Sequence, residues 1–253
     1  MKFKIFIEQP EILDQCHVFI SGWHGLGEIG YITVSHFVQE LKMQRIATIM
    51  SSGAPPFISV QDNQLRLPFE IYGDEELDFA VFIPHLQPYR HVQIEFSEKL
   101  SEWILGNKNF EIAYFIGGVD KNLKVSDNPL QYIPSRALYS YSSLPDGFTE
   151  EVKTNLLDSG LFVAGPLAIM LGYLDMNMFP AIGLLAYAER ERPDPLGAVA
   201  VVDKLNILLK VKVKTKKLIR NAEVIEEEIK RQLAPMEETN KEKIPLGDRR
   251  MYT

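Results

Sequence analysis

The chain of 253 residues has one cysteine, Cys16. With a single thiol no disulfide can form within the chain, and a zinc site built on cysteines is excluded. Long apolar runs are missing too. The best candidate, Leu161 to Leu174, is interrupted by Gly165-Pro166 and Gly172 and is too short to cross a bilayer. The first residues reach Glu8 and Pro10 before an apolar stretch builds up, so no secretory signal is expected. Excess base is absent: 27 Lys and Arg stand against 34 Asp and Glu, a net charge of −7, which argues against a nucleic-acid surface. These absences lead to the expectation of a soluble cytoplasmic protein with neither nucleic acid nor membrane as partner.

What remains is an ordinary globular composition, 46% hydrophobic and 24% charged, in a chain long enough to bury a substantial core. Short apolar runs alternate with segments of helical spacing. Strands are expected at 17–21, 45–50, 57–60, 65–67, 69–72, 79–83, 111–116 and 181–188, and one more at 136–141. Helices are expected at 28–43, 91–105, 150–157, 167–174 and 195–209, and 119–136 reads as loop. This alternation predicts a three-layer α/β/α sandwich around a mostly parallel mixed sheet, occupying residues 1–210.

The last fifth of the chain differs. From Lys204 to Arg220 there are seven basic residues and no acid. Val211, Leu218 and Ile225 recur every seven residues, which predicts a helix over 211–234 with a narrow apolar seam. That seam fits either a partner helix or the chain's own domain. Residues 235–253 carry Pro235, Pro245 and Gly247, four acids and four bases, and are expected to form a flexible tail. A coil of this length spans roughly 25 Å, enough for an arm.

Gly22 opens a glycine-rich turn in which Gly25, Gly27 and Gly30 match G-x-G-x-x-G between a strand and a helix. Such a turn brings backbone N–H groups and a helix N-terminus to a pyrophosphate. The second strand, however, ends in Met50-Ser51-Ser52 without an acid for a ribose, and Glu28 would stand beside the phosphate. Tight strand–helix packing explains the same glycines. No G-x-x-x-x-G-K-[ST] or G-x-S-x-G motif is present, and the five histidines show no metal-ligand spacing. No catalytic residue, metal or cofactor is therefore assigned. Met251-Tyr252-Thr253 has the form of a docking signal. The ring of Tyr252 offers area and a hydroxyl, Met251 a soft apolar contact, and a free carboxylate on Thr253 would pair with a lysine.

Taken together, the chain resembles the proteasome assembly chaperone 2 family in its archaeal branch. The resemblance is carried by Phe19 to Gly30, Gly53-Ala-Pro55, Phe115-Ile-Gly117-Gly118, Ser159 to Pro166, Ile182 to Ala186 and Asp194-Pro195-Leu-Gly-Ala-Val. It spans roughly residues 15 to 210. It implies a phosphorylase/hydrolase-like fold, no catalysis, homo-oligomers, and docking of Met251, Tyr252 and Thr253 into pockets between core proteasome α-subunits. Relatives often have a Gly-Glu-Thr-like turn after the last strand, where this chain has Ala186-Tyr187-Ala188-Glu189. The expected function is thus a proteasome-binding assembly chaperone or ATP-independent activator. The alternative is a nucleotide- or small-molecule-binding enzyme built on the glycine turn, with Ser51, Ser52 or His85 nearby. A third reading is a scaffold assembled through the helix after Val213.

Overall fold

The computed structural model describes residues 1–54, 56–61, 63–124 and 127–224. In chain order its strands and helices are β1 (Phe3–Ile7), α1 (Pro10–Leu13), β2 (Val18–Gly22), α2 (Ile29–Glu40), β3 (Gln44–Ser51), β4 (Ser59–Gln61), β5 (Gln64–Arg66), β6 (Phe69–Gly73), β7 (Phe79–Pro84), α3 (Gln93–Gly106), β8 (Ile112–Asp120), β9 (Leu130–Pro134), α4 (Phe148–Thr154), α5 (Pro166–Met176), β10 (Ala181–Ala188) and α6 (Pro195–Leu208). Residues 216–224 form a further helical segment.

Eight strands make one sheet in the order β1-β3-β6-β7-β2-β8-β10-β9, and β4-β5 is a separate hairpin. The central strands β7, β2, β8 and β10 are mutually parallel. Strand β3 shares their direction, while β1, β6 and β9 oppose it. Five of eight strands thus run one way, in the mixed three-layer sheet that the sequence predicts. The central strands read as unbroken apolar runs because both of their faces are covered. In β2, Val18 and Ile20 face the layer of α2 and α6, and Phe19 faces the layer of α3 and α5. Aromatic rings fill the second layer: Phe19, Phe82 and Phe96 are fully buried.

Several expectations need correction. The strand expected over 111–116 does not stop before Gly117-Gly118: β8 runs through both glycines to Asp120. Their missing side chains leave room for the Leu26 carbonyl and the Leu167 side chain. The segment read as loop contains β9, which pairs antiparallel with β10. Residues 136–141 form no strand: Arg136–Ser140 is a 3-10 turn that buries Ala137 and Leu138 just after Pro134 ends β9. β1 was not foreseen at all.

The helix expected from 211 begins at 216. Residues 211–215 run without regular structure because Asn206 takes both main-chain groups of Val213, its Oδ1 accepting at 2.8 Å and its Nδ2 donating at 3.0 Å. Leu218, 3% exposed, packs into the chain's own α2–α6 layer, and Ala222 is buried beside it on the same helical segment. His36 on α2 meets the Lys214 carbonyl at 2.7 Å, the core histidine its apolar helical face predicts. Ile225, the rest of the expected helix to 234 and the tail 235–253 lie outside the described residues. No helix among the described residues is long and apolar enough to cross a membrane.

Candidate functional site

The glycine turn sits where β2 hands over to α2. Gly27 has φ +61°, and Glu28, just before α2, has φ +54°. This left-handed pair turns the chain sharply from strand to helix. A Cβ on Gly22 would lie 2.5 Å from the Gly30 carbonyl carbon, and one on Gly30 would lie 2.6 Å from the main chain of both Ile116 and Trp23. A Cβ on Gly27 would lie 2.7 Å from that of Ala188, the last residue of β10. Three of the four expected site glycines therefore serve close packing. Gly25 alone faces open space.

That space is a cleft of about 590 Å³ at the carboxyl ends of β2, β8 and β10, roofed by the loop 160–165. A cleft in this place is where open α/β sheets commonly bind ligands. Its chemistry is sparse. Leu123, Leu161, Phe162 and Val163 make an apolar wall. Asp120 and Arg190 are its charged lining residues and stand 3.7 Å apart, so the lining carries no net pull on an anion. His24 is committed: Nδ1 to the Glu28 carboxylate, Nε2 to the Pro84 carbonyl at 3.0 Å, and its ring stacked on Tyr31. Gln87 donates to the His24 carbonyl and accepts from Gln93.

The other residues named for an enzymatic reading are not brought here. Ser51 ends β3 and Ser52 follows it, and β3 is separated from β2 by β6 and β7. Ser51 Oγ accepts from the Gly53 amide, and Ser52 Oγ accepts from the Lys2 amide. His85 is paired with Glu70 at 2.9 Å. No nucleophile–base pair with a substrate space between them is formed by these side chains. Among the described residues no group of three or more His, Cys, Asp or Glu is placed to hold a metal. Met251, Tyr252 and Thr253 lie outside the described residues.

A second feature went unread in the sequence. Glu70, the second residue of β6, has a fully buried carboxylate. It accepts from Arg45 Nη1 at 2.9 Å, the Leu67 amide at 3.0 Å, the Tyr72 hydroxyl and His85. Burial alone would push its pKa up, but the bonds from His85, Tyr72, Leu67 and Arg45 outweigh it and hold the carboxyl at about 2. Arg45 also donates to the Leu65 carbonyl and to Glu8, so the cluster fastens the β4–β5 hairpin to the sheet. The sequence signal was a lone acid in the apolar run Phe69-Glu-Ile-Tyr72. Beside it, β1, β3 and residues 56–58 enclose an apolar groove of about 730 Å³ lined by Phe6, Met50, Phe57 and Ile58.

Residues 19–233 match the sequence model of the PAC2 family. An uncharacterized protein of Methanocaldococcus jannaschii is 24% identical over 232 residues, 89% of each chain. Among solved structures, Pyrococcus furiosus PbaA, an archaeal homolog of proteasome-assembly chaperone, superposes with a TM-score of 0.73 at 21% identity, covering 94% of this chain and all of its own. Pyrococcus furiosus PbaB, an archaeal proteasome activator, gives 0.70 at 19% identity over 91% of this chain and 98% of its own. At these identities the superpositions establish the fold.

Proposed function

The chain belongs to the PAC2 family, and from that premise we propose that it is a non-enzymatic proteasome-binding protein, an assembly chaperone homologue or an ATP-independent activator. The observation that carries this reading is the family match across residues 19–233, with a fold shared with PbaA over 94% of this chain. In the cleft, Gly22, Gly27 and Gly30 serve packing, and His24 is bonded to Glu28 and to the Pro84 carbonyl.

In this proposal Met251, Tyr252 and Thr253 form the docking element, with Thr253 supplying a free carboxylate. The methionine and the tyrosine ring fill an apolar pocket between α-subunits of the core proteasome, and the carboxylate pairs with a lysine there. One such contact is weak. A homo-oligomer carrying several copies raises avidity by roughly 10²–10⁴ without any new kind of contact. The test is capture of core proteasome by the wild-type chain, by Tyr252→Ala and by a chain extended beyond Thr253. Both altered chains should lose capture, and equal capture by all three would sink the docking model.

The alternative, a nucleotide- or small-molecule-binding enzyme, is favoured by one observation, the 590 Å³ cleft beside Gly25. A thermal-shift screen against nucleotides and nucleosides separates the two readings. A ligand that raises the melting midpoint equally in the wild type and in Tyr252→Ala would move the function to the cleft.

A further inference from the structure

The two edges of the sheet are finished differently. At one end, β9 is closed by the segment 155–157: the Tyr132 amide donates to the Asn155 carbonyl, and the Leu157 amide donates to the Tyr132 carbonyl, both at 2.9 Å. At the other end, β1 has β3 on one side and, among the described residues, no strand and no main-chain hydrogen bond on the other.

The register settles which groups are left over. β1 pairs with β3 through Lys4↔Met50, Ile5↔Ile49 and Phe6↔Thr48. Beyond the strand ends, the Ser52 amide donates to the Lys2 carbonyl and the Glu8 amide to the Ile46 carbonyl. Even-numbered residues therefore aim their main-chain groups at β3, and Phe3, Ile5 and Ile7 aim theirs outward. Around this edge the surface is apolar: Phe6 and Ile7 are 42% and 48% exposed, and Met50 and Ile58 more so.

From this geometry we infer that β1 is a self-association edge, pairing antiparallel with β1 of a second copy about a two-fold axis at Ile5. The occupant follows from complementarity. Full overlap of Phe3–Ile7 with its own copy sets Ile5 against Ile5, and Phe3 against Ile7, in hydrogen-bonded pairs. It sets Lys4 against Phe6, and Lys2 against Glu8, an opposite-charge pair formed twice. Shifting by one pair toward the N-terminus would set Lys4 against Lys4, so the lysine that ordinarily blunts an edge here selects the register. The two-fold closes the contact after one partner, so the edge builds a dimer unit and no filament. The even face of the paired strands joins the two Phe6–Met50 grooves into one apolar strip.

The inference rests on the self-association proposed above and is independent of the terminal motif. It is tested on the full chain with Lys4→Cys and Phe6→Cys variants bearing tags of different mass, co-expressed and mildly oxidised. In the proposed register positions 4 and 6 of the two copies form a non-hydrogen-bonded pair with Cα atoms about 4.5 Å apart, within disulfide reach. Like pairs, 4 with 4 or 6 with 6, are roughly 8 Å apart and out of reach. Cys16 does not interfere: it is buried, and burial pushes its thiol up to about 12. The mixed cross-link should exceed either like cross-link at least tenfold. Ile7→Pro, which removes an outward amide and leaves the β3 ladder whole, should weaken self-association at least tenfold in sedimentation. Tyr252→Ala in the same cysteine backgrounds keeps the cross-link, which separates failure of docking from failure of this interface. A monomeric wild type, or an oligomer in which the mixed cross-link has no preference, assigns the edge to another occupant and overturns the inference.

Discussion

Strand β2 is buried at all five of its positions, and β1, in the same sheet, is exposed at three of five. Between these extremes the means of holding the fold change. Around β2 there is no room: helix α2 crosses so close that main chain touches main chain. Around β1 and β6, on the face that Glu70 shares, a hairpin is fastened to the sheet by Glu70, Arg45 and Glu8. The centre depends on shape and the edge on charge. Each regime has its own way of failing.

The largest effect is expected at the centre. Gly22→Ala would place a methyl on the Gly30 carbonyl, where backbone, not a flexible side chain, must move. The expected loss is about 4 kcal/mol, read as a fall in the urea midpoint at unchanged slope. A loss under about 1 kcal/mol would mean that α2 can slide outward, and the contrast between a rigid centre and a fastened edge would break.

At the edge, Glu70→Gln leaves Arg45 and its neighbours without their buried anion, with an expected loss of about 3 kcal/mol at neutral pH. The pH dependence gives the sign. The folded carboxyl is held at about 2, below its ordinary 4.5. Ionised Glu70 therefore stabilises the fold above pH 4.5, and this contribution fades as pH falls toward 2. The difference between wild type and Glu70→Gln should shrink over that window in denaturant titrations. A constant difference would show that packing, not charge, holds the hairpin.

The helix at 216–224 belongs with the centre in this comparison. Leu218→Ala should cost about 2 kcal/mol and speed amide exchange across that helix, because the side chain is buried in the α2–α6 layer. If the variant instead dissociates an oligomer at unchanged monomer stability, the seam serves a partner.

What the sequence disclosed follows the same division. Strands 79–83 and 181–188 were legible because burial on both faces leaves only apolar residues, and both match β7 and β10 closely. β1 was not, since Phe3-Lys-Ile-Phe-Ile7 borders solvent and its alternation is carried by one lysine. β9 was hidden by Pro129 and Pro134, which suit an edge strand and also read as loop. The glycine turn was found, but its role was ambiguous: G-x-G-x-x-G records that main chains approach, not whether the neighbour is a phosphate or a helix. The Glu70 cluster joins residues from 8 to 85, a convergence that no local pattern encodes.

Gly25 is where that ambiguity can be resolved most cheaply, because it alone of the four turn glycines has space around it. Its φ of −167° is extended backbone open to any residue, and a Cβ there meets nothing within 4 Å. Gly25→Ala should therefore change stability by less than about 0.5 kcal/mol, the smallest effect of this set. Packing gives no reason for glycine at this position, so the variant isolates the cleft from the fold. Under the docking reading it also leaves proteasome capture as in the wild type, since the cleft takes no part. A Gly25→Ala chain that is stable but loses capture would place the cleft in the partner's path, and the shape-held centre of the sheet would then carry function as well as structure.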